Sequence, residues 1–248
     1  MYYLDLFSGI GGFALGAYWA GWKFDEHYFS EIDKYCVELY KRRFSNAIEL
    51  GDIRQISMES LRMEGSWILT GGFPCQDISI AGKGEGLSGE RSGLWFEMWR
   101  IIRDLRPRWV IAENVGAITF RGLSTVLNSL AEIGYDAEWQ DIRASDMGAP
   151  HRRERIWIVA YPHLQGLSEF KSQREKQQGW FGLDRLSLPN EWGTSNPSQT
   201  FIRRGLPGIP HRVDRLRALG NSIVPQIAEL LFRRIAEIDE NIQIHHSL

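Results

Sequence analysis

The chain has 248 residues, of which 43% are hydrophobic, 12% aromatic and 24% charged, and its formal net charge at pH 7 is -2. This composition excludes an intrinsically disordered or fibrous protein, and the length predicts one large domain with at most a small appendage. The two cysteines, Cys36 and Cys75, are too few for a disulfide framework or a four-ligand zinc site. We therefore expect a fold that is stabilised by packing and holds no metal.

Neither a membrane segment nor an export signal is predicted. No apolar run approaches the roughly 18 residues that a membrane helix needs. The chain passes directly into the apolar run Tyr2–Phe7, without a charged leader and a cleavage site. We therefore expect a cytoplasmic protein without a membrane partner.

Positive charge is concentrated in the later part of the chain. The segment His151–Gly220 contains 12 lysines and arginines against 6 aspartates and glutamates, whereas the rest of the chain contains 17 against 25. A polyanion such as nucleic acid could bind this segment. On charge alone, an ordinary solvated basic surface explains the excess equally well.

Strand-like and helix-like segments alternate along most of the chain. The predicted strands are Tyr2–Phe7, Phe24–Ser30, a short strand ending near Asp52, Trp67–Thr70, Trp109–Ala112, Ala137–Ile142 and Ile156–Tyr161. The predicted helices are one that starts near Phe13, Asp33–Phe44, Leu94–Leu105, Gly122–Ile133 and Ser222–Ile238. This alternation is typical of an α/β fold with a Rossmann-like, mostly parallel sheet covered by helices on both faces.

The composition changes after Pro162. Up to about Pro210 the chain is rich in Gln, Ser, Gly, Pro and Trp and has weak periodicity, which predicts a small loop-rich insert. We therefore divide the chain into a first domain at residues 1–162, an insert at 163–210 and a C-terminal segment at 211–248. The C-terminal segment is expected to return to the first domain.

A glycine turn between the first predicted strand and helix favours binding of a nucleoside cofactor. The segment Gly9–Ala14 fits the pattern G-x-G-x-x-[GA], and Glu31 follows about 20 residues later at the end of the second strand. Glycines let the backbone approach a ligand closely, and the carboxylate can accept hydrogen bonds from ribose hydroxyls. A tight structural turn beside a surface carboxylate is the alternative.

The pattern fits a dinucleotide and S-adenosylmethionine equally well. Asp5, just before the glycine turn, suits a cofactor whose amino acid end carries an ammonium group. Asp52 lies where a third strand would end, and it could accept a hydrogen bond from an adenine amino group. A simple turn after Gly51 explains Asp52 equally well.

Two predicted strand ends carry groups for covalent chemistry. Cys75 follows the fourth predicted strand on a loop stiffened by two glycines and Pro74, where a thiolate could be generated and reached. Glu113 ends the neighbouring strand, so its carboxyl could exchange a proton with a ring nitrogen while the sulfur attacks carbon. The alternative for Glu113 is a strand-end cap. Cys36, within an amphipathic helix, is expected to be an ordinary buried side chain.

Five segments together resemble, in order, the motifs of the DNA (cytosine-5)-methyltransferase family. They are Asp5–Gly12, Gly72–Gln76, Glu113–Val115, Arg153–Arg155 and Gly220–Ser222. The resemblance implies the fold of S-adenosylmethionine-dependent methyltransferases and methylation of cytosine in DNA at C5. It implies that Cys75 attacks C6 and that Glu113 engages N3 and the exocyclic amine. Arg153 and Arg155 would support the O2 side of a cytosine flipped out of the duplex.

Taken with the strand positions, the resemblance also assigns binding residues. The implied contacts to S-adenosylmethionine, or to its product S-adenosylhomocysteine, are Asp5, Phe7, Gly9, Gly11, Glu31, Ile32, Asp52, Ile53, Pro74, Leu94, Asn221 and Ser222. The implied substrate contacts are Gln76, Ser79, Arg91 and Asn114. The first three of these lie in a stretch that resembles the family's mobile catalytic loop.

The sequence departs from the family pattern at two places. His151 stands where the family often has Gln, and the recognition region, roughly His163–Pro210, is short. Such compact chains resemble phage or prophage-borne members, so we expect a bacterial or phage-encoded protein. Because one target base needs one active site, we expect it to be a monomer. Its expected partners are double-stranded DNA and, in a restriction-modification system, a cognate restriction endonuclease. The rival interpretations are a dinucleotide-dependent oxidoreductase, a catalytically silent DNA-binding protein and an RNA cytosine methyltransferase.

Overall fold

The structure, a computed structural model, describes residues 1–61, 64–74, 93–163 and 212–245. The strands in these ranges are β1 (Tyr2–Leu6), β2 (His27–Ser30), β3 (Ile48–Glu49), β4 (Trp67–Gly72), β5 (Trp109–Val115), β6 (Tyr135–Arg143) and β7 (Glu154–Pro162). The α-helices are α1 (Gly12–Trp19), α2 (Lys34–Arg43), α3 (Leu94–Leu105), α4 (Ile118–Arg121), α5 (Leu123–Glu132), α6 (Arg212–Asn221) and α7 (Pro225–His245). Short 3₁₀ helices span Ile53–Gln55, Met58–Ser60 and Ala144–Met147.

The described strands form one sheet in the order β3-β2-β1-β4-β5-β7-β6. β7 runs antiparallel to both of its neighbours, and the other neighbouring pairs are parallel. The strand order reverses at β1, because β2 and β3 lie on one side of it and β4 and β5 on the other. Such a reversal opens a crevice above the carboxyl ends of the strands. The predicted mostly parallel α/β fold is confirmed.

Both faces of the sheet are buried. Side chains alternate along β1, so that Tyr3 joins one core with residues of α1 and α7, whereas Leu4 and Leu6 join a second core with residues of α3 and α5. The predicted helical cover on both faces is therefore confirmed. Within the described ranges, none of these helices has the apolar length that a bilayer-spanning segment requires.

Two glycines of α1 let the C-terminal helix pack at close range. A Cβ atom at Gly12 would lie 2.7 Å from the Cβ of Ile223, and one at Gly16 would lie 2.6 Å from both the Cβ of Ala228 and the main-chain nitrogen of Glu229. A larger side chain at either position would push the elements apart. The last part of the chain thus packs on the helix that follows the glycine turn. The division into three parts stays a prediction, because nearly all of the insert lies outside the described residues.

The C-terminal segment differs from its predicted form. The helix expected at Ser222–Ile238 begins at Pro225 and is preceded by α6, which the sequence analysis missed. Proline suits the first position of a helix and disfavours the helical conformation of the residue before it, which separates the two helices. α6 leaves Val213 and Leu219 exposed. At the other end of the sheet, β2 begins at His27 instead of Phe24, and β3 has only two residues.

Candidate active site

A cleft of about 1160 Å³ opens at the carboxyl ends of β1, β2, β4 and β5. The predicted site residues in its wall are Phe7, Gly9, Glu31, Ile32, Asp52, Ile53, Pro74, Leu94, Glu113, Asn114, Arg155 and Asn221. Those that do not line it are Asp5, Gly11, Arg153 and Ser222. Cys75, Gln76, Ser79 and Arg91 lie outside the described residues. The fold thus brings together predicted residues from well-separated parts of the chain.

Glu31 ties the glycine turn to the end of β2. The main-chain N–H of Gly9 donates to Oε2 of Glu31 at 2.8 Å, and those of Ile32 and Asp33 each donate to Oε1 at 2.8 Å. Gly9 and Gly11 have positive φ values of 53° and 83°, a conformation that glycine adopts without steric cost. The glycine turn and its acidic partner are therefore in direct contact at the cleft.

Asp5 lies beneath the glycine turn instead of in the cleft. Its side chain is completely buried, and its two oxygens accept hydrogen bonds from the Thr70 hydroxyl at 2.8 Å and the Tyr40 hydroxyl at 2.9 Å. Burial raises the pKa of Asp5 to about 7, and the two hydrogen bonds oppose that rise. These contacts join β1, β4 and α2 and leave Asp5 outside the cleft wall. They favour a structural role over the expected contact with a ligand ammonium group.

One part of the cleft combines apolar side chains with a paired carboxylate. Phe7, Ile53 and Leu94 line it, and Ile53 packs in the core beneath. Arg54 donates from Nε to Oδ1 of Asp52 at 3.0 Å, which lowers the pKa of Asp52 and keeps its carboxylate ionised. An adenine ring could pack on the apolar side chains while its amino group donates to an ionised carboxylate.

Glu113 is a buried carboxyl elsewhere in the same cleft. Its register partner on β4 is Gly72, where a Cβ atom would come within 3.3 Å of Oε2 of Glu113. The Nε atom of Arg155 forms an ion pair with Oε1 of Glu113 at 2.9 Å. Burial raises the pKa of Glu113 to about 7, and the guanidiniums of Arg155 and Arg153 lower it by less. Both protonation states are therefore populated near neutral pH, as acid–base chemistry requires.

Arg153 makes different contacts from Arg155, although the two are close in sequence. Its Nη1 donates to the carbonyl oxygen of Gly220 at 2.9 Å, and its Nη2 donates to the carbonyl oxygen of Ser222. These carbonyls belong to residues 220–224, which we call the α6–α7 junction. Arg153 thus fastens the junction, including the cleft residue Asn221, to the start of β7.

Asn114 anchors the loop that leads to Cys75. Its Nδ2 donates to the carbonyl oxygen of Phe73 at 2.8 Å, and its Oδ1 accepts from the main-chain N–H of Val115 at 2.8 Å. The side chain is only 2% exposed. Asn114 therefore holds the end of β4 against the end of β5, so its hydrogen bonds favour a positioning role over the predicted substrate contact.

Sequence reasoning missed several charged and polar residues of the cleft wall. They are Ser30, Asp33, Cys36, Arg54, Glu97, Arg121 and Arg217. Arg217 of α6 pairs with Asp33, which also caps α2 through the main-chain N–H groups of Tyr35 and Cys36. An Asp before a predicted helix is a capping signal that could have placed the first turn of α2 at the cleft. Burial raises the pKa of Cys36 to about 12, so this buried thiol stays protonated.

Among the described residues, no group of three or more His, Cys, Asp and Glu side chains is arranged to hold a metal ion. The fold and the cleft define an α/β protein in which a glycine turn supported by Glu31 and a buried acid share one cleft. The chain belongs to the family of C-5 cytosine-specific DNA methylases, whose model matches residues 1–190.

Two relatives are bacterial type II methyltransferases. M1.ScrFI of Lactococcus lactis subsp. cremoris is 37% identical over 181 residues, which are 71% of this chain and 46% of the relative. M.HhaI of Haemophilus parahaemolyticus is 33% identical over 192 residues, which are 76% of this chain and 57% of the relative. The chain thus spans about half the length of these relatives.

Solved structures with similar folds include two methyltransferases. A prophage-encoded E. coli protein assigned as a DNA modification methyltransferase gives a TM-score of 0.53 at 28% identity, covering 65% of this chain and 47% of that one. A mutant of Spodoptera frugiperda DNMT2 gives a TM-score of 0.54 at 20% identity, covering 66% of this chain and 50% of that one. The second likeness supports the fold alone.

Removing the Arg153 guanidinium should loosen the α6–α7 junction. Arg153→Ala deletes two charge-assisted hydrogen bonds, so amides of residues 220–224 should exchange with deuterium at least about tenfold faster than in the wild type. Arg152→Ala is the matched control, because Arg152 pairs only with Glu154 among the described residues and its side chain is 71% exposed. Equal exchange rates in the two variants would contradict this role of Arg153.

Proposed function

We propose that this protein transfers a methyl group from S-adenosylmethionine to C5 of a cytosine in DNA and releases S-adenosylhomocysteine. One observation carries the proposal: a single cleft contains both the Glu31-supported glycine turn and the buried Glu113–Arg155 pair. Pro74, which precedes Cys75 in the chain, lines the same cleft. Membership of the C-5 cytosine-specific DNA methylase family supports this combination of cofactor and substrate.

The cofactor end of the cleft fits S-adenosylmethionine. The Glu31 carboxylate, held in place by the Gly9 N–H, can accept hydrogen bonds from the ribose hydroxyls. Ile53 and Leu94 can pack on the adenine, and the ionised Asp52 can accept from its amino group. When bound, S-adenosylmethionine supplies an electrophilic methyl group.

Covalent attack by Cys75 would make C5 of the cytosine nucleophilic. Its thiolate sulfur forms a bond to C6, and the electron pair of the C5–C6 double bond becomes available at C5. C5 would then bond to the methyl carbon while the bond between that carbon and the sulfonium sulfur breaks, which leaves S-adenosylhomocysteine. A base removes the C5 proton, the C6–S bond breaks, and the double bond re-forms. The role of Cys75 rests on the family resemblance and on its neighbour Pro74 in the cleft wall.

Glu113 and Arg155 would stabilise the attacked ring. The protonated Glu113 carboxyl can donate to N3, which offsets the negative charge that builds on the ring as sulfur adds. Arg155, held on Glu113 at 2.9 Å, can support the O2 side of the same ring. Because a cytosine stacked in duplex DNA cannot reach this carboxyl, the base must leave the helix.

The wider setting of the enzyme is proposed from its relatives. The bacterial sources of the type II methyltransferases M1.ScrFI and M.HhaI support a bacterial, cytoplasmic enzyme with a cognate restriction endonuclease as partner. The 28% identity to a prophage-encoded E. coli protein supports a prophage origin. Because one target base needs one active site, we propose that the protein acts on double-stranded DNA as a monomer.

The covalent mechanism can be tested with DNA that contains 5-fluorocytosine. A fluorine at C5 cannot leave as a proton does, so wild-type protein with S-adenosylmethionine and a randomised-sequence duplex should form a covalent adduct that mass spectrometry maps to Cys75. Cys75→Ser should form no adduct yet still bind S-adenosylhomocysteine in isothermal titration. Cys36→Ser, which removes the other thiol, should still form the adduct.

Absence of an adduct in a preparation that methylates ordinary cytosine DNA would rule out the covalent mechanism. Methylation of RNA but not DNA by the same preparation would replace the proposed substrate. Tight NAD binding without S-adenosylhomocysteine binding would favour a dinucleotide enzyme instead.

The pH profile tests the role of Glu113. Because the protonated fraction of a carboxyl with a pKa of about 7 falls as pH rises through that value, kcat/KM should fall over the same range. Glu113→Gln cannot deliver a proton, so it should slow methyl transfer by about 100-fold or more and lose this pH dependence. Asp5 also has a pKa of about 7 but does not line the cleft. An Asp5→Asn variant that folds should therefore keep the wild-type pH dependence of kcat/KM. An unchanged rate in Glu113→Gln would make Glu113 a structural cap.

A further inference from the structure

A large aromatic side chain protrudes beside the cleft. Phe120 of α4 is 94% exposed, more than any other large apolar side chain in the described part of the chain. Single exposed apolar residues are common on protein surfaces, so exposure alone assigns no role to Phe120. Whether the exposed Phe120 ring binds a partner depends on how firmly the backbone holds it and on which residues lie next to it.

The backbone that carries Phe120 is firmly held. Ile118 is completely buried in the core that contains residues of α3 and α5. The Thr119 hydroxyl donates to the carbonyl oxygen of Gly116 at 2.8 Å, and the N–H of Gly122 donates to the carbonyl oxygen of Ile118 at 2.9 Å. The fold therefore presents the ring of Phe120 to solvent from an anchored turn, which reduces the ordering cost of binding a partner.

The neighbouring residue, Arg121, lines the cleft that contains Glu113. Its side chain is exposed, and it makes no hydrogen bond or ion pair with the other residues that the structure describes. Val115 and Ala117 also line the cleft, so the chain returns to the cleft wall at Arg121, and Phe120 directly precedes Arg121. An available guanidinium beside an exposed aromatic ring is the combination with which proteins bind phosphates and unstacked bases.

The proposed reaction explains why a nucleic acid strand must pass this rim. A cytosine that reaches Glu113 remains bonded to its own sugar and to the phosphates on both sides. The flanking nucleotides therefore lie at the mouth of the cleft when the base is inside it. A cation at that mouth is complementary to the phosphates in charge, and an aromatic ring can occupy the stacking surface that the flipped base leaves behind.

We infer that Phe120 and Arg121 bind the DNA strand flanking the target cytosine, with the Phe120 ring packed on an exposed base or sugar and the Arg121 guanidinium paired with a phosphate. The inference rests on the proposed function and adds two substrate-binding residues to it. Phe120 would hold the base-flipped conformation, whereas Arg121 would contribute to affinity for any DNA sequence.

The test compares DNA affinity, by fluorescence anisotropy at several salt concentrations, with steady-state methylation kinetics. Phe120→Ala should weaken binding about tenfold and raise KM for DNA but not for S-adenosylmethionine, whereas Phe120→Trp should restore both values. Arg121→Gln should reduce the slope of log affinity against log salt by about 1, the change expected for one lost phosphate contact. The Phe120 variants should keep the wild-type slope.

Two control substitutions remove similar side chains away from the cleft. Trp19 is 46% exposed at the end of α1, and Arg103 pairs with Asp104 near the end of α3. Neither residue belongs to the cleft wall. Trp19→Ala and Arg103→Gln should leave DNA affinity and its salt dependence unchanged.

The outcomes separate this inference from the proposed function. If the wild type methylates DNA but Phe120→Ala and Arg121→Gln leave the affinity, KM and salt slope unchanged, the inference is overturned and the proposed function stands. A lower melting temperature of Phe120→Ala with unaltered DNA affinity would also overturn it, because the ring would then pack within the protein. Absence of DNA methylation by the wild type would contradict both.

Discussion

Burial of the Glu113 carboxyl between Gly72 and Arg155 is the constraint on which the chemistry of the cleft depends. In water this group would be ionised at neutral pH and could not donate to a ring nitrogen. Burial raises its pKa to about 7, and the guanidinium of Arg155 limits the rise. The parallel register of β4 and β5 sets Gly72 opposite Glu113. Because glycine has no side chain, this register leaves space for the buried carboxyl.

The C-terminal segment completes the site. Ile223 lies close to Gly12 at the start of α1, Arg153 fastens the α6–α7 junction to β7, and Arg217 joins α6 to Asp33 beside Glu31. These contacts join the C-terminal segment to α1, α2 and the start of β7, which are distant from it in sequence. A change in the junction should therefore affect both ends of the cleft.

The sequence predicted those parts of the structure that depend on interactions between residues close together in the chain. The alternation of strands and helices, the glycine turn and the acidic residue after β2 each depend on short-range patterns, and Glu31 does contact Gly9. The alternation of side chains along β1 turns Asp5 towards Tyr40, and the contact of Asp5 with a cofactor stays a prediction. α6 and Arg217 gave no signal because the pairing of Arg217 with Asp33 is a tertiary contact, and Arg121 belongs to no motif of the sequence. The position of Cys75 stays a prediction.

The ionisation of Glu113 tests this account most directly. Protein carrying ¹³C at glutamate side-chain carboxyls can be titrated by NMR, and the Glu113 signal is assigned by its absence from Glu113→Gln. We expect the Glu113 carboxyl to titrate with a midpoint near 7, well above the ordinary value of 4.5. A midpoint at or below 4.5 would show an ordinary ion pair with Arg155, and Glu113 could not then serve as the acid at neutral pH.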